Sequence, residues 1–220
     1  MRSRLSVSWL AALALLSGIA LADEAYQPLV TQDGVSVLER TTPDRALPEL
    51  RAQVEIDAGI YEVLAVIADV PNQTTWMHDC SEAKLVRQLS ETVLLIYNRT
   101  ASPWPLSDRD VVLRSETTIV EPGQHVTVRF VATADPEAPP IDGVVRMPHV
   151  SGLYDLVALS PTRTRLTYDL DADPGGSIPA WAAARTARQT PLETMRGLRA
   201  RVAATEGQYR DFVSRWSETR

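Results

Sequence analysis

One cysteine, Cys80, stands in 220 residues, so the chain has nothing to pair it with internally. An internal disulfide framework and a cysteine-cluster zinc site are both excluded. Histidine is scarce too, at three. No H-E-x-x-H, G-x-S-x-G or G-x-x-x-x-G-K occurs, so the usual zincin, serine-hydrolase and P-loop readings lack support. Basic residues are outnumbered, 22 Lys+Arg against 28 Asp+Glu, for a net charge of −6. That balance argues against nucleic acid, whose binding rests on neutralising phosphates with Lys and Arg. Hydrophobic residues at 45% and charged residues at 23% are ordinary globular values and exclude a largely disordered chain. The length suits one domain with a sizeable core, or a core with a cavity.

Long apolar runs are missing except at the start. Met1–Arg4 is basic, Trp9–Ile19 is almost wholly apolar, and Ala20-Leu21-Ala22 precedes Asp23-Glu24. Charge, short apolar run and A-x-A are the three parts of a secretory signal. The run is shorter than the roughly 20 residues needed to span a bilayer. No cysteine sits at the cleavage site, which excludes a lipoprotein anchor. Residues 1–22 therefore read as a signal peptide cleaved after Ala22, and 23–220 as one exported domain, with a bacterial periplasm as the expected location. Cleavage removes Arg2 and Arg4 and no acid, taking the net charge from −6 to −8.

Along the remaining chain, Val35–Arg40 and Leu50–Ile56 alternate as strands about a Thr42-Pro43-Asp44 turn. Ile60, Val63, Leu64 and Ile67 fall at i, i+3, i+4 and i+7, the pattern of an amphipathic helix over Ala58–Ala68 stopped near Pro71. Strands then dominate: Ala83–Gln88, Val93–Arg99, Arg109–Val120, Val126–Ala132, Val144–His149, Gly152–Leu159 and Thr164–Asp171. Such spacing predicts an antiparallel sheet, strongly twisted or partly closed. The last third changes period. Ser177 offers an N-cap, and Trp181, Ala184, Leu192, Met195, Leu198 and Val202 recur at three- and four-residue steps. Pro191 should kink this helix, and Thr190-Pro191-Leu192-Glu193 has the form of a capping box at which it restarts.

Few side chains look chemical. His78-Asp79-Cys80 reads as a triad only as letters, since a catalytic cysteine needs spatial proximity and a lowered pKa. Cys80 is better read as a small half-buried side chain. Asp169-x-Asp171-x-Asp173 resembles an EF-hand start, but Pro174 and Ala180 occupy the glycine and glutamate positions, so no metal is expected. The informative strand is Arg109–Val120. Its odd positions, among them Val111 and Leu113, form the more apolar face and should point inward. Arg109 is then the one charge on an inward face and needs a carboxylate, ordered water or a polar ligand group, unless it reaches solvent at the strand end.

Three stretches carry a family resemblance. Ser102-Pro-Trp-Pro-Leu-Ser-Asp-Arg-Asp-Val-Val-Leu-Arg114 resembles the P-W-P-x-S-x-R-D-x-V stretch of START domains, the steroidogenic-acute-regulatory-protein-related lipid transfer domains. Trp76 matches the tryptophan those domains carry upstream. Asp173-Pro-Gly-Gly-Ser-Ile-Pro-Ala-Trp181, with Pro191–Arg199, is similar to the start and body of their C-terminal helix. Order and spacing agree over about residues 28–205. One departure is Ala184, where bacterial members often have Asn, removing a polar contact to the ligand.

The resemblance implies fold class α+β: a helix-grip fold, a curved antiparallel sheet wrapped around a long C-terminal helix, with short helices near residues 58–78, enclosing a cavity for one lipid or sterol. It implies that the family's tunnel arginine is Arg109 and places Trp181 and Met195 on the helix face toward the cavity. By strand parity alone, Tyr97 and Tyr168 are candidate wall residues, although an aromatic at such spacing is more often plain core. The expected function is non-catalytic: carriage, transfer or sensing of an apolar small molecule, with no cofactor and at most transient membrane contact. The alternative is a cyclase or hydrolase on the same fold, against which stands the lack of an acid–base pair, His125 and His149 having no motif context. Beyond Gly207, Tyr209, Phe212, Val213 and Trp216 form a stripe that could dock on the domain or on a bilayer. N-terminal sequencing of the exported protein should begin at Asp23; an intact Met1 would refute the cleavage.

Overall fold

A computed structural model describes residues 25–41 and 47–218. The signal segment and the Thr42-Pro43-Asp44 turn lie outside the described residues. Ten strands form one sheet: β1 (Gln27–Gln32), β2 (Val35–Arg40), β3 (Glu49–Ile56), β4 (Cys80–Gln88), β5 (Val93–Thr100), β6 (Arg109–Glu121), β7 (His125–Thr133), β8 (Val145–Arg146), β9 (His149–Ser160) and β10 (Arg163–Asp173). The spatial order is β1-β2-β3-β10-β9-β7-β6-β5-β4, antiparallel throughout, with the short β8 parallel to β6. Among the described residues three helices complete the fold: α1 (Ile60–Ala68), α2 (Ala180–Ala204) and α3 (Arg210–Glu218), with a 3₁₀ turn at Val70–Thr75. This is the expected α+β architecture, a curved, unclosed sheet gripping a long C-terminal helix.

The local departures have physical causes. β1 was not expected, because Gln27–Gln32 shows no alternation. It is an edge strand, with Pro28 at an irregularity in its pairing with β2, where a missing N–H costs least. The Val144–His149 strand shrinks to Val145–Arg146. Pro148 has no amide to donate, and His149 already pairs with Asp173 as the first residue of β9. Helix α2 is capped at Pro179, not Ser177, and runs unbroken past Pro191 with no restart at Thr190.

The reason for that continuity lies in packing. Leu192, Met195, Leu198 and Val202 are all buried on the far side of Pro191. Each such side chain contributes about 1.5–3 kcal/mol, against about 3 kcal/mol for one interior proline. The C-terminal half of α2 also makes a close approach. A Cβ on Gly197 would lie 2.2 Å from the backbone carbonyl oxygen of Trp76, so only glycine lets the helix sit there.

Helix α1 is buried on more than its amphipathic face, Tyr61, Ala65 and Val66 included. The cause is that α1 packs against α3, α2, β9 and β10 together, and the Tyr61 hydroxyl accepts from the Gly123 amide at 2.9 Å. Tyr209, Phe212, Val213 and Trp216 rest on the core, and the Tyr209 hydroxyl donates to Asp69 Oδ2 at 2.6 Å. The tail stripe therefore docks on the domain itself. Among the described residues no helix is long and apolar enough to cross a membrane.

Gly197→Ala should lower stability by up to about 2 kcal/mol, because overpacking against an unyielding carbonyl, about 1–3 kcal/mol, outweighs the gain in helix propensity of about 1 kcal/mol. Urea denaturation followed by circular dichroism would measure it. A stabilised variant would show that α2 is not seated through this contact.

Candidate functional site

The concave face of the sheet, the N-terminal half of α2, α1 and the loop between β5 and β6 surround a cavity of about 220 Å³. Odd residues of β6 face it, Arg109, Val111, Leu113, Ser115 and Thr117, as the alternation predicts. The floor is aromatic. Tyr154 and Tyr168 stack with ring centroids 4.8 Å apart, and Phe130 packs on both at 5.6 and 6.2 Å. Gly152 makes room for that cluster, since a Cβ there would lie 2.2 Å from the Phe130 ring. Burial pushes both tyrosine hydroxyls well above their ordinary pKa of 10, so the floor stays uncharged.

Of the seven candidate residues, Arg109, Val111, Leu113 and Tyr168 line the cavity, and Tyr97, Trp181 and Met195 do not. Tyr97 sits on the opposite face of the sheet. It pairs with Val112, and residues directly opposite in an antiparallel pair share a face, so the outward even face of β6 carries Tyr97 outward. There it packs with Val112 and Ala138, and burial beside Asp110 pushes its hydroxyl up to about 12. Leu94, Ile96 and Asn98 line the cavity from β5 instead. On α2, Ala182, Arg185, Thr186, Gln189, Thr190 and Thr194 form the roof. Trp181, 54% exposed, and the fully buried Met195 each lie one residue, about 100°, from that stripe. Ala184 is exposed and off the roof as well, so no polar contact is lost at it.

Arg109 is the chemical centre of the wall. It is buried, 7% exposed, at the first position of β6. Its Nη1 donates to Ser102 Oγ at 3.3 Å and to the Ser107 carbonyl, while its Nε–H is buried without a partner. Both neighbouring acids are committed elsewhere. Asp108 accepts from Arg99 Nε at 2.8 Å and from the Ser102 amide at 3.0 Å. Asp110, its side chain wholly buried, accepts from Arg146 Nε at 2.7 Å and Nη2 at 3.1 Å. Among the described residues no carboxylate pairs with Arg109. Gln73 and Asn98 add a buried polar link, Asn98 Nδ2 donating to Gln73 Oε1 at 3.0 Å.

The loop Ala101–Asp108 forms one side of the mouth. Pro103 and Leu106 line the cavity, while Trp104 between them is 91% exposed. Asp108 staples the loop's base, the Ala101 amide donates to the Asp79 carbonyl at 2.8 Å, and the adjoining His78 amide donates to Thr194 Oγ1 of α2 at 3.2 Å. The other candidate chemistries do not assemble. His125 and His149 pair with Asp155 and Asp171 away from the cavity. Burial pushes the Cys80 thiol up, the opposite of an activated nucleophile. Asp169 pairs with Arg51, and among the described residues no group of three or more potential ligands could hold a metal ion.

A curved sheet closed by one long helix over an apolar cavity defines a class of small-molecule-binding proteins. The START domain family model matches residues 23–206, and this chain belongs to that family. It is 32% identical over 201 residues to an uncharacterized protein of Pseudomonas aeruginosa, covering 90% of this chain and 97% of that one. It is 25% identical over 163 residues to human START domain-containing protein 10, covering 73% of this chain and 55% of that protein. A STAR-related lipid transfer protein fragment from Xanthomonas axonopodis superposes with a TM-score of 0.73 at 31% identity, covering 81% of this chain and 98% of that one. Human StAR-related lipid transfer protein 5 gives 0.74 at 18% identity, covering 82% and 88%, and shows the shared fold.

The pH dependence of the loop staple follows from Asp108. The Ser102 amide, then the Arg99 guanidinium, hold its carboxyl below the ordinary 3.8. A depressed folded value means that the stabilisation is complete above about pH 4 and is lost as pH falls through the lower folded value. Hydrogen exchange at the Ser102 amide, corrected for intrinsic rate, should accelerate in the wild type only as pH falls below the ordinary carboxylate value of 3.8. In Asp108→Asn it should be fast at every pH.

Proposed function

We propose that this protein binds one apolar small molecule in the cavity beneath α2 and carries, transfers or senses it, without catalysis, after export to a bacterial periplasm. The observation that carries this reading is the cavity itself: a mainly apolar hollow, open at its mouth, whose wall holds one buried cation. Binding would be driven by removing ligand hydrocarbon from water, about 25 cal/mol per Å² before ordering losses. Arg109 would orient the polar end, a phosphate, carboxylate or hydroxyl, from its place in the cavity wall. The family relationship and the likeness to a STAR-related lipid transfer protein of Xanthomonas axonopodis support the apolar cargo. The basic and apolar start of the chain, ending in Ala20-Leu21-Ala22, supports export.

Loading would go through the mouth, where the lining residues Asp79, Pro103 and Arg185 are exposed. Trp104 on the loop and Trp181 on α2 are both exposed beside residues that line the cavity. Tryptophan suits the membrane–water interface, so brief contact of this rim with a bilayer would bring the mouth to the lipid. Against a net charge of −8, such contact would rest on these apolar tips and not on attraction between the whole protein and anionic lipid. Native mass spectrometry of protein purified from its host should show one apolar small molecule per chain. Trp104→Ser should slow transfer between vesicles several-fold without loss of stability. Protein that carries no such molecule and takes none up from vesicles would overturn the reading.

A further inference from the structure

The charge pattern around Arg109 says more about the cargo than its greasiness does. Asp108, Arg109 and Asp110 are consecutive, yet the two acids are bound to Arg99 and Arg146 on one side while the arginine between them faces the cavity. An arginine stays protonated even when buried, and a buried charge left unpaired is strongly unfavourable. Two hydrogen bonds to neutral oxygens, from Ser102 and Ser107, engage Nη1 only. Of the residues lining the cavity, Arg109 and Arg185 are cationic and Asp79 is the only acid, 3.3 Å from His78 Nε2. The cavity is thus positive inside a chain whose net charge is −6. On the roof, Gln189 Oε1 is a second buried polar atom without a partner. Turning that amide about its last torsion would offer Nε2–H in place of an acceptor.

Size restricts the cargo further. At about 220 Å³ the cavity lies below the roughly 300–1,000 Å³ of pockets that take drug-sized ligands. One short chain or a small ring system fits such a space, and a two-chain phospholipid does not.

We infer that the cavity selects a single-chain amphiphile with an anionic oxygen head group, carboxylate or phosphate monoester, seated on Arg109, with its hydrocarbon on the Phe130, Tyr154 and Tyr168 floor. This rests on the cavity being the ligand site and narrows the class of ligand it takes. A neutral alcohol of the same chain length buries the same apolar area but leaves the guanidinium without a counter-charge.

Isothermal titration of the purified, delipidated protein with decanoate, decyl phosphate and decanol, all below their micelle concentrations, tests this without any variant. Decanoate, decyl phosphate or both should bind at least tenfold more tightly than decanol, and the two acids separate a carboxylate from a phosphate preference. Arg109→Gln should abolish the preference, bringing the acids to within about twofold of decanol measured on the same variant, and Arg109→Lys should retain part of it. If decanol binds as tightly as both acids, the anion inference fails while the carrier reading stands. Uptake of phosphatidylcholine from vesicles in preference to all three would refute the single-chain class and leave the carrier reading intact. Binding of none of the four would overturn both.

Discussion

The seating of α2 on the concave face of the sheet is the contact from which the remaining features follow. An unclosed sheet of this curvature exposes an apolar hollow, and one helix covers it. The two halves of α2 do different work. Beyond Pro191 the helix packs as core, with Leu192, Met195, Leu198 and Val202 buried and Gly197 pressed against the Trp76 carbonyl. Before Pro191 it is a roof of small and polar residues, Ala182, Arg185, Thr186 and Gln189, held over space instead of over side chains. A helix anchored at one end and unpacked at the other can keep a cavity open without sacrificing the whole interface. The stacked Phe130, Tyr154 and Tyr168 make the floor stiff, so the hollow does not fill from below.

The second organising device is the alternation of β6 and the residues leading into it. A period of two splits Asp108-Arg109-Asp110 between faces. The acids serve structure: Asp108 shapes the mouth loop, and Asp110 with Arg146 ties the segment after β7 to the sheet. The cation between them is left to the cavity. The same few residues therefore build the scaffold and place the one charge that gives the interior a polarity.

Much of this was legible in the residues. The i, i+3, i+4, i+7 pattern of α1, the odd inward face of β6 and the position of Arg109 all follow from local periodicity, because each depends on one element's own repeat. The errors share a different cause. Parity says which residues of β5 share a face but not which face is inside. Both faces of that strand are covered, the inner by the cavity and the outer by Ala138 and its neighbours, so Tyr97 looked as eligible as Ile96. Only its pairing with Val112 decides. Trp181 and Met195 failed through helix phase: a displacement of one residue turns a side chain about 100°, from roof to solvent in one case and from roof to core in the other. Gln189 and Asn98 do line the cavity, but Gln189 stands among other polar residues, Arg188 and Thr190, and Asn98 signals only as a polar residue in an otherwise apolar strand.

What the sequence by itself determined is the inventory: the α+β class, most of the strands and helices, the isolated arginine, the acidic balance of charge and the family. Those are properties of short windows, set by hydrogen-bonding period and by the cost of burying charge. The tertiary structure alone decided that the interior has a hollow of small size, that Asp108 and Asp110 are already spent on other arginines, and that the tail stripe belongs to α1. Each of these is a question of which partner reaches a group first. Partners more than a hundred residues apart, such as His78 and Thr194 or Asp69 and Tyr209, meet only when the chain is folded.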